Sequence, residues 1–198
     1  MIDIVKKTIP RKLKLGLKQT LRSLFESTRY WFIRDKVSRK KFCHIVFVCQ
    51  GNVCRSAFAE YYLRSHLSGN SVKVESCGLD VYHAGPSPAM AMKVSGDLGV
   101  DLRTHLSKSY TACDFNNADL IVPMEYPQYF QLIKLYPEFK NKIHLLHDFL
   151  PWPERLSCNI YDPYGLGEAA FRQCFEDIRK ALERLASHKS LGKKRVAA

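Results

Sequence analysis

From Phe42 onward the chain alternates short apolar runs with stretches of helical periodicity, and that alternation leaves few architectures open. His44-Ile-Val-Phe-Val-Cys49 is a run of the buried-strand type, and similar runs lie at 72–76, 118–123 and 142–146. Helical patterns occupy 56–67, 87–98 and 127–136, with Gly69-Asn70 as a stop after the first. A closing helix is expected over 168–187, where Ala169, Phe171, Phe175, Ile178, Leu182 and Leu185 recur at roughly helical spacing. Strands separated by helices need crossover connections and assemble as a parallel sheet. The expected fold is therefore α/β, a four-stranded parallel twisted sheet flanked by helices. Ligands of such sheets bind at the carboxyl ends of the strands, which directs attention to the loop leaving Cys49.

That loop reads Cys49-Gln50-Gly51-Asn52-Val53-Cys54-Arg55-Ser56, and a helix begins at once. Gly51 and Asn52 both tolerate positive φ, so the loop can turn its N–H groups inward. The helix adds its own free N–H groups and the positive end of its dipole. Together these make a concave cradle for an oxyanion of phosphate size. Arg55 can reach back and grip two oxygens in a fork. A thiol at the floor of such a cradle meets the same donors. An ordinary thiol is only a few per cent ionised at neutral pH, and lowering its pKa by two to three units takes roughly 3 to 4 kcal/mol of preferential thiolate stabilisation. Inward amides, a helix end, Arg55 and the Ser56 hydroxyl are a donor set of that strength, so the loop reads as a thiolate nucleophile aimed at phosphorus.

Charge divides the chain differently from hydropathy. Residues 1–41 carry 13 Lys or Arg against 3 acidic residues, and the tail from 188 carries 4 with no acid. The whole-chain net charge of +12 therefore belongs to the two ends, and the region between is nearly neutral. Three parts are expected: a basic amphipathic extension over 1–41, a catalytic domain over 42–187 and a basic tail over 188–198. Within the extension, 10–37 reads as helix, with Leu13, Leu17, Leu21, Leu24 and Phe25 on one face and Tyr30 to Ile33 as an aromatic cluster between Arg29 and Arg34. An anionic membrane surface or an acidic partner suits that arm. The alternatives are docking on the catalytic domain, or a solvated, partly helical arm. No nucleic acid is expected, because no platform of basic and aromatic residues interrupts the core. No apolar run approaches the roughly 18–20 residues of a membrane span, and the N-terminus has no apolar segment of the signal-peptide kind. With seven cysteines, an odd number, and no CxxC pair, reduced thiols in a cytoplasmic protein are expected, peripheral at the membrane if the arm attaches there. Neither a metal nor an organic cofactor is called for.

The loop resembles the signature Cys-x-Gly-Asn-x-Cys-Arg-Ser-Pro of the low-molecular-weight protein tyrosine phosphatases, and the resemblance extends over 43–187. The segment from Ser76 to Gly85 is similar to the family's stretch after its second strand, whose aromatic lines the pocket mouth. The segment from Gly99 to His105 and the strand ending in Met124-Glu125 have counterparts too, and Tyr161-Asp162-Pro163-Tyr164 resembles the catalytic Asp-Pro loop. The resemblance implies phosphotyrosine hydrolysis on proteins through a phosphocysteine, with Cys49 as nucleophile, Arg55 as phosphoryl clamp and Asp162 as acid and then base. It implies Tyr82 and Tyr164 as pocket walls, Asn52 as loop organiser, Ser56 as a contact of the thiolate, and Cys54 as a partner able to trap an oxidised nucleophile. Val53 is apolar, as in phosphotyrosine members, where phosphoarginine members carry Thr. Departures are Ala57 for the usual Pro, Glu125 for Asp, Cys77 for Ala, and the whole of 1–41.

Two other readings share these residues. Arsenate reductases of the same fold need two further cysteines close together, and the downstream gaps of 36, 45 and 16 residues offer no such pair in sequence. A phosphate-binding module without turnover would not need Cys49, Arg55 and Asp162 all intact.

Overall fold

The computed structural model describes residues 11–37, 41–67, 72–150 and 152–187, with side chains from residue 21. The first ten residues, the expected stop at 69–70, the tail and the side chains of Leu13 and Leu17 lie outside that description. Helix α1 (Arg11–Ile33) precedes strand β1 (His44–Cys49). Then come α2 (Arg55–His66), β2 (Lys73–Gly78), α3 (Ala89–Asp97), β3 (Leu120–Pro123), α4 (Tyr126–Leu135) and α5 (Glu168–Ser187). The sheet is parallel, in the order β2-β1-β3, with Ile45 opposite Val74 on one side and Leu120 on the other. Every residue of β1 is buried, as a central strand covered on both faces requires.

The expected fourth strand is not formed. Its apolar run is buried, but residues 143–145 are all that lies between two 3-10 helices, Pro137–Lys142 and Leu146–Phe149. Three extended residues support a single parallel bridge, Ile143 to Ile121, with His144 N donating to Ile121 O at 3.0 Å. The sheet has three strands, with this bridge beside β3 and a second parallel one, Gly78 to Ser109, beside β2.

Alternation along β1 divides the core. Ile45, Phe47 and Cys49 face α2, α3 and α5, where the Phe58 and Phe175 rings stack 4.2 Å apart. Val46 and Val48 face the other way, toward Ile121 and Tyr129 of α4. Tyr30 of α1 completes this second layer, edge-on to Tyr129 at 4.9 Å. Helix α1 therefore docks on the domain through Glu26, Ser27 and Tyr30, all buried, while Leu21, Leu24, Phe25 and Phe32 remain exposed. Two side chains anchor its end: Tyr30 Oη donates to Asp148 at 2.5 Å, and Arg34 pairs with the same carboxylate.

One buried imidazole makes stability depend on pH. His147 donates from Nδ1 to the Ser157 carbonyl, and burial pushes its pKa down to about 4. Unfolded, a histidine titrates near 6.5, so between those values the unfolded chain holds the extra proton and stability rises with pH. The contribution is complete above pH 6.5 and is lost as pH falls toward 4. At pH 5 the loss is about 2 kcal/mol, or roughly 4–8 °C in Tm for a domain of this size. Thermal unfolding at pH 7.5 and pH 5 is expected to differ by at least that amount, because burial also pushes the His144 pKa down and adds in the same sense. His147→Gln, which keeps the donor and cannot titrate, should shrink the difference.

Candidate active site

The loop after β1 and the first turn of α2 are shaped by Asn52. Its φ is +50°, the conformation expected of either Gly51 or Asn52, and Asn52 alone of the two adopts it. Left-handed backbone is costly for a residue with a Cβ, and the side chain is held on every side. Asn52 Nδ2 donates to Ser56 Oγ at 2.9 Å and to Ser76 Oγ at 2.8 Å, and Oδ1 accepts the Lys108 amide at 2.9 Å. The Asn52 carbonyl accepts from His105 Nε2 at 2.6 Å. Gly78, at the end of β2, lets this loop close. A Cβ there would lie 2.7 Å from the Gln50 carbonyl oxygen and 2.9 Å from the Asn52 nitrogen.

Cys49 lies at the carboxyl end of the central strand, 3% exposed. Its sulfur accepts from the Asn52 amide at 3.2 Å and lies 2.9 Å from Ser56 Oγ. Because Asn52 donates to that hydroxyl, the Ser56 proton has two acceptors to choose between, the sulfur and the Cys77 carbonyl at 3.3 Å, of which the sulfur is the nearer. Helix α2 begins at Arg55 with no side-chain cap, the arrangement that leaves leading amides for an anion.

Arg55 is almost wholly buried beside the thiol. Its Nη1 donates to Glu125 and, at 2.9 Å, to the Ile160 carbonyl, while Nη2 donates to Asp162 at 2.5 Å. Burial alone pulls the guanidinium pKa down, yet the negative charges of Cys49, Glu125 and Asp162 hold it above its ordinary value. Its Nε is buried with no partner. An unsatisfied buried donor of a charged group is costly, and this one belongs to an arginine that lines a cavity of about 530 Å³ together with Cys49.

All eleven residues picked out from sequence meet here. Asn52 and Ser56 are buried behind the loop, and the other nine line the cavity. Tyr82 and Tyr164 stand at its mouth, 86% and 65% exposed. Asp162 is fixed at the rim by Arg55 and by the Tyr164 amide, which donates to Oδ1 at 3.1 Å. Burial pushes the Cys54 thiol up to about 12, with the charges of Cys49 and Asp162 adding to it, so Cys54 stays protonated near neutrality.

Sequence reasoning did not assign a role to Glu125, Ser76, His105 or Lys108, which hold Arg55 and Asn52. Glu125 was legible only as a departure from the family pattern, and Ser76 carries no sequence signal. Nor did spacing bring Cys77 and Cys113 together, although 36 residues apart the two thiols shift one another's pKa, up for Cys77 and down for Cys113, with Cys113 Sγ 3.9 Å from the Ser76 carbonyl. Among the described residues no group of three or more His, Cys, Asp or Glu converges as a metal ligand set.

A thiol under an anion-sized loop, at the carboxyl edge of a parallel sheet with a buried guanidinium beside it, is the architecture of a cysteine-dependent phosphatase. Comparison with known proteins makes the class specific. Residues 44–197 match the family described as low molecular weight phosphotyrosine protein phosphatase, and the chain belongs to that family. The low molecular weight protein-tyrosine-phosphatase Etp of Escherichia coli K12 is 34% identical over 154 residues, covering 78% of this chain and 99% of the relative. The crystal structure of the tyrosine phosphatase Wzb from Escherichia coli K30 with sulphate superposes with a TM-score of 0.66 at 29% identity, over 74% of this chain and 97% of that one. The YwlE arginine phosphatase from Geobacillus stearothermophilus gives a TM-score of 0.65 at 26% identity, over 73% and 90%. Helix α1 precedes the residues matched to the family.

Proposed function

We propose that this protein hydrolyses phosphotyrosine monoesters on proteins through a phosphocysteine on Cys49. The observation that carries the reading is the unpartnered Nε of buried Arg55 beside Cys49. A bound phosphoryl group supplies that donor with its acceptor. In the first step the Cys49 thiolate attacks phosphorus, the S–P bond forms, the P–O bond to the tyrosyl oxygen breaks, and Asp162 delivers a proton to the departing phenolate. In the second, water attacks phosphorus while the Asp162 carboxylate takes its proton. The S–P bond then breaks, returning thiolate and releasing phosphate. Arg55, the loop amides and the end of α2 hold the three equatorial oxygens throughout, where charge is spread in the transition state. Tyr82 and Tyr164 make a slot for a flat ring, and Val53 beside them is apolar, which favours a phenyl ester over a guanidinium. The named activities of Etp and Wzb agree with a phosphotyrosyl protein as substrate, and that of YwlE names the competitor.

The test is one panel on the purified protein: phosphotyrosyl, phosphoseryl and phosphoarginyl peptides, and arsenate with a thiol reductant, each with and without vanadate. Vanadate-sensitive release of phosphate from the tyrosyl peptide alone is expected. Preference for the arginyl peptide, or reduction of arsenate using the Cys77 and Cys113 thiols, would replace the reading.

We further propose that α1 attaches the enzyme peripherally to an anionic membrane at its cytoplasmic face. Leu21, Leu24, Phe25 and Phe32 fall on the side of the helix opposite buried Glu26 and Tyr30, and the surrounding sequence is strongly basic. That is an interfacial helix docked by its polar face. No helix among the described residues is long and apolar enough to cross a membrane. The full chain should co-sediment with phosphatidylserine-containing vesicles and not with neutral ones. Leu24→Glu with Phe25→Glu should weaken binding at least about tenfold, since each buried apolar side chain is worth on the order of 2 kcal/mol. Equal binding by both proteins removes the proposal.

A further inference from the structure

Helix α1 grips the segment leading to Asp162 through polar side chains that take no part in phosphoryl transfer. Glu26 Oε2 accepts from Asn159 Nδ2 at 2.6 Å, and Asn159 Oδ1 accepts the Tyr126 amide at 2.7 Å. Ser27 Oγ accepts the Cys158 amide at 3.1 Å, and the Ser23 and Ser157 hydroxyls lie 3.4 Å apart. Three consecutive residues, 157 to 159, are thus held by one helix face. Glu26 and Asn159 are both buried, and a carboxylate acceptor binds an amide donor more strongly than a neutral oxygen does.

Asn159 connects this brace to the arginine from two directions. The next residue, Ile160, gives its carbonyl to Arg55 Nη1 at 2.9 Å and its amide to Met124 O at 2.9 Å. The Tyr126 amide that Asn159 holds adjoins Glu125, whose carboxylate pairs with Arg55. Asn159 therefore fixes the backbone next to both acceptors of Arg55 Nη1, two residues before Asp162 in the case of Ile160. On its other side Asn159, Ile160, Asp162 and Cys174 border a cavity of about 480 Å³, although Ile160 and Cys158 also pack in the core and His147 holds the Ser157 carbonyl. The brace comes from a helix outside the residues matched to the family, which begin at 44.

We propose that Glu26 is a positioning residue of the active site: through Asn159 it sets the rest position of segment 157–162, and with it the Asp162 carboxyl and the Ile160 carbonyl on Arg55. The proposal rests on the phosphatase reading. Losing the brace lets Asp162 drift from the leaving oxygen while the thiol and loop stay intact, so the defect falls on substrates that need a proton.

The test compares kcat/KM, which reports the phosphorylation step, of full-length variants on a tyrosyl phosphate and on an activated aryl phosphate whose phenol leaves unprotonated. Glu26→Ala should lose about tenfold on the tyrosyl ester and less than about threefold on the activated one, a part of the effect of general acid catalysis. Glu26→Gln, which keeps an acceptor for Asn159, should recover to within about threefold of wild type. Arg22→Ala, which removes only the exposed partner of Glu26, should match wild type on both. If Glu26→Ala does not fold, Glu26→Met keeps the bulk of the side chain, likewise lacks the acceptor for Asn159 and is read the same way. A folded Glu26→Ala protein with the wild-type ratio between the two esters overturns the proposal. Asp162→Ala measured alongside separates the failures: if it too leaves the ratio unchanged, the acid assignment fails, and if it alone shifts the ratio, only the role of Glu26 does.

Discussion

Serine at position 49 is expected to leave a protein that binds a phosphotyrosyl peptide but turns it over at least about 10⁴-fold more slowly. The sulfur has two close donors, the Asn52 amide at 3.2 Å and the Ser56 hydroxyl near 2.9 Å, with Arg55 behind them. Such donors can ionise a thiol, whose pKa is near 8.5 to begin with. They cannot ionise an alcohol, and His105, behind the loop, is no base for it because it donates its Nε2 to the Asn52 carbonyl. Oxygen also lies closer to its Cβ than sulfur does, lengthening the reach to phosphorus. Binding survives because the cradle is built from backbone amides, the end of α2 and Arg55, none of which is changed. Removing the thiolate removes a negative charge from beneath a phosphate dianion, so peptide affinity should hold or rise. Calorimetric titration of the variant with the peptide, beside steady-state kinetics, reads both halves. Turnover within about tenfold of wild type would place the nucleophile elsewhere. Lost binding by a folded variant would mean that the phosphoryl group lies outside this cradle.

How much of this was legible in the sequence depends on which physical force carries each part. Strand β1 and the helix after Arg55 were legible because burial on both faces leaves an unbroken apolar run, and because the turn residues between them have few alternatives. The fourth strand misleads for the same reason. An apolar run records burial, and residues 143–145 are buried without a ladder because the 3-10 helices on either side leave no length for one. Asp162 was visible only through the family resemblance, since Asp-Pro alone is ordinary turn chemistry. Helix α1 illustrates the limit best. Its period was plain, but periodicity ranks faces by hydrophobicity, and the face that docks is the one carrying Glu26, Ser27 and Tyr30. What decides the docking is the set of hydrogen-bond partners at Asn159, Cys158 and Asp148, more than a hundred residues away in sequence. Cys77 and Cys113 met unseen for a like reason.

Removing the carboxyl at 162 should cost about 10²–10⁴ in kcat/KM, which reports the phosphorylation step, on a tyrosyl phosphate and far less on an activated aryl phosphate. Tyrosine is a poor leaving group, with a phenol pKa near 10, and expelling it as an anion at neutral pH is uphill by several kcal/mol. Asp80 and Asp162 both line the cavity, and Asp162, the one that touches Arg55, is the acid in the proposed mechanism; Glu125 is committed to Arg55 and to the first turn of α4. Asp162 also accepts from Arg55 Nη2 at 2.5 Å, so a loss in Asp162→Ala alone has two explanations, a missing proton or a loosened clamp. Asp162→Asn separates them. The amide oxygen can still accept from Arg55, whereas the side chain cannot protonate a leaving phenolate or deprotonate water. Equal losses for Ala and Asn on the tyrosyl ester assign the proton, and recovery in Asn reduces Asp162 to an anchor. The second half-reaction gives an independent reading. With an activated ester, phosphorylation of Cys49 stays fast in either variant while attack by water lacks its base. Phosphocysteine should then accumulate, visible as a burst of released phenol equal to the enzyme present. Release on the activated ester that is linear with no burst and stays as fast as in the wild type would show that Asp162 does not serve the water step.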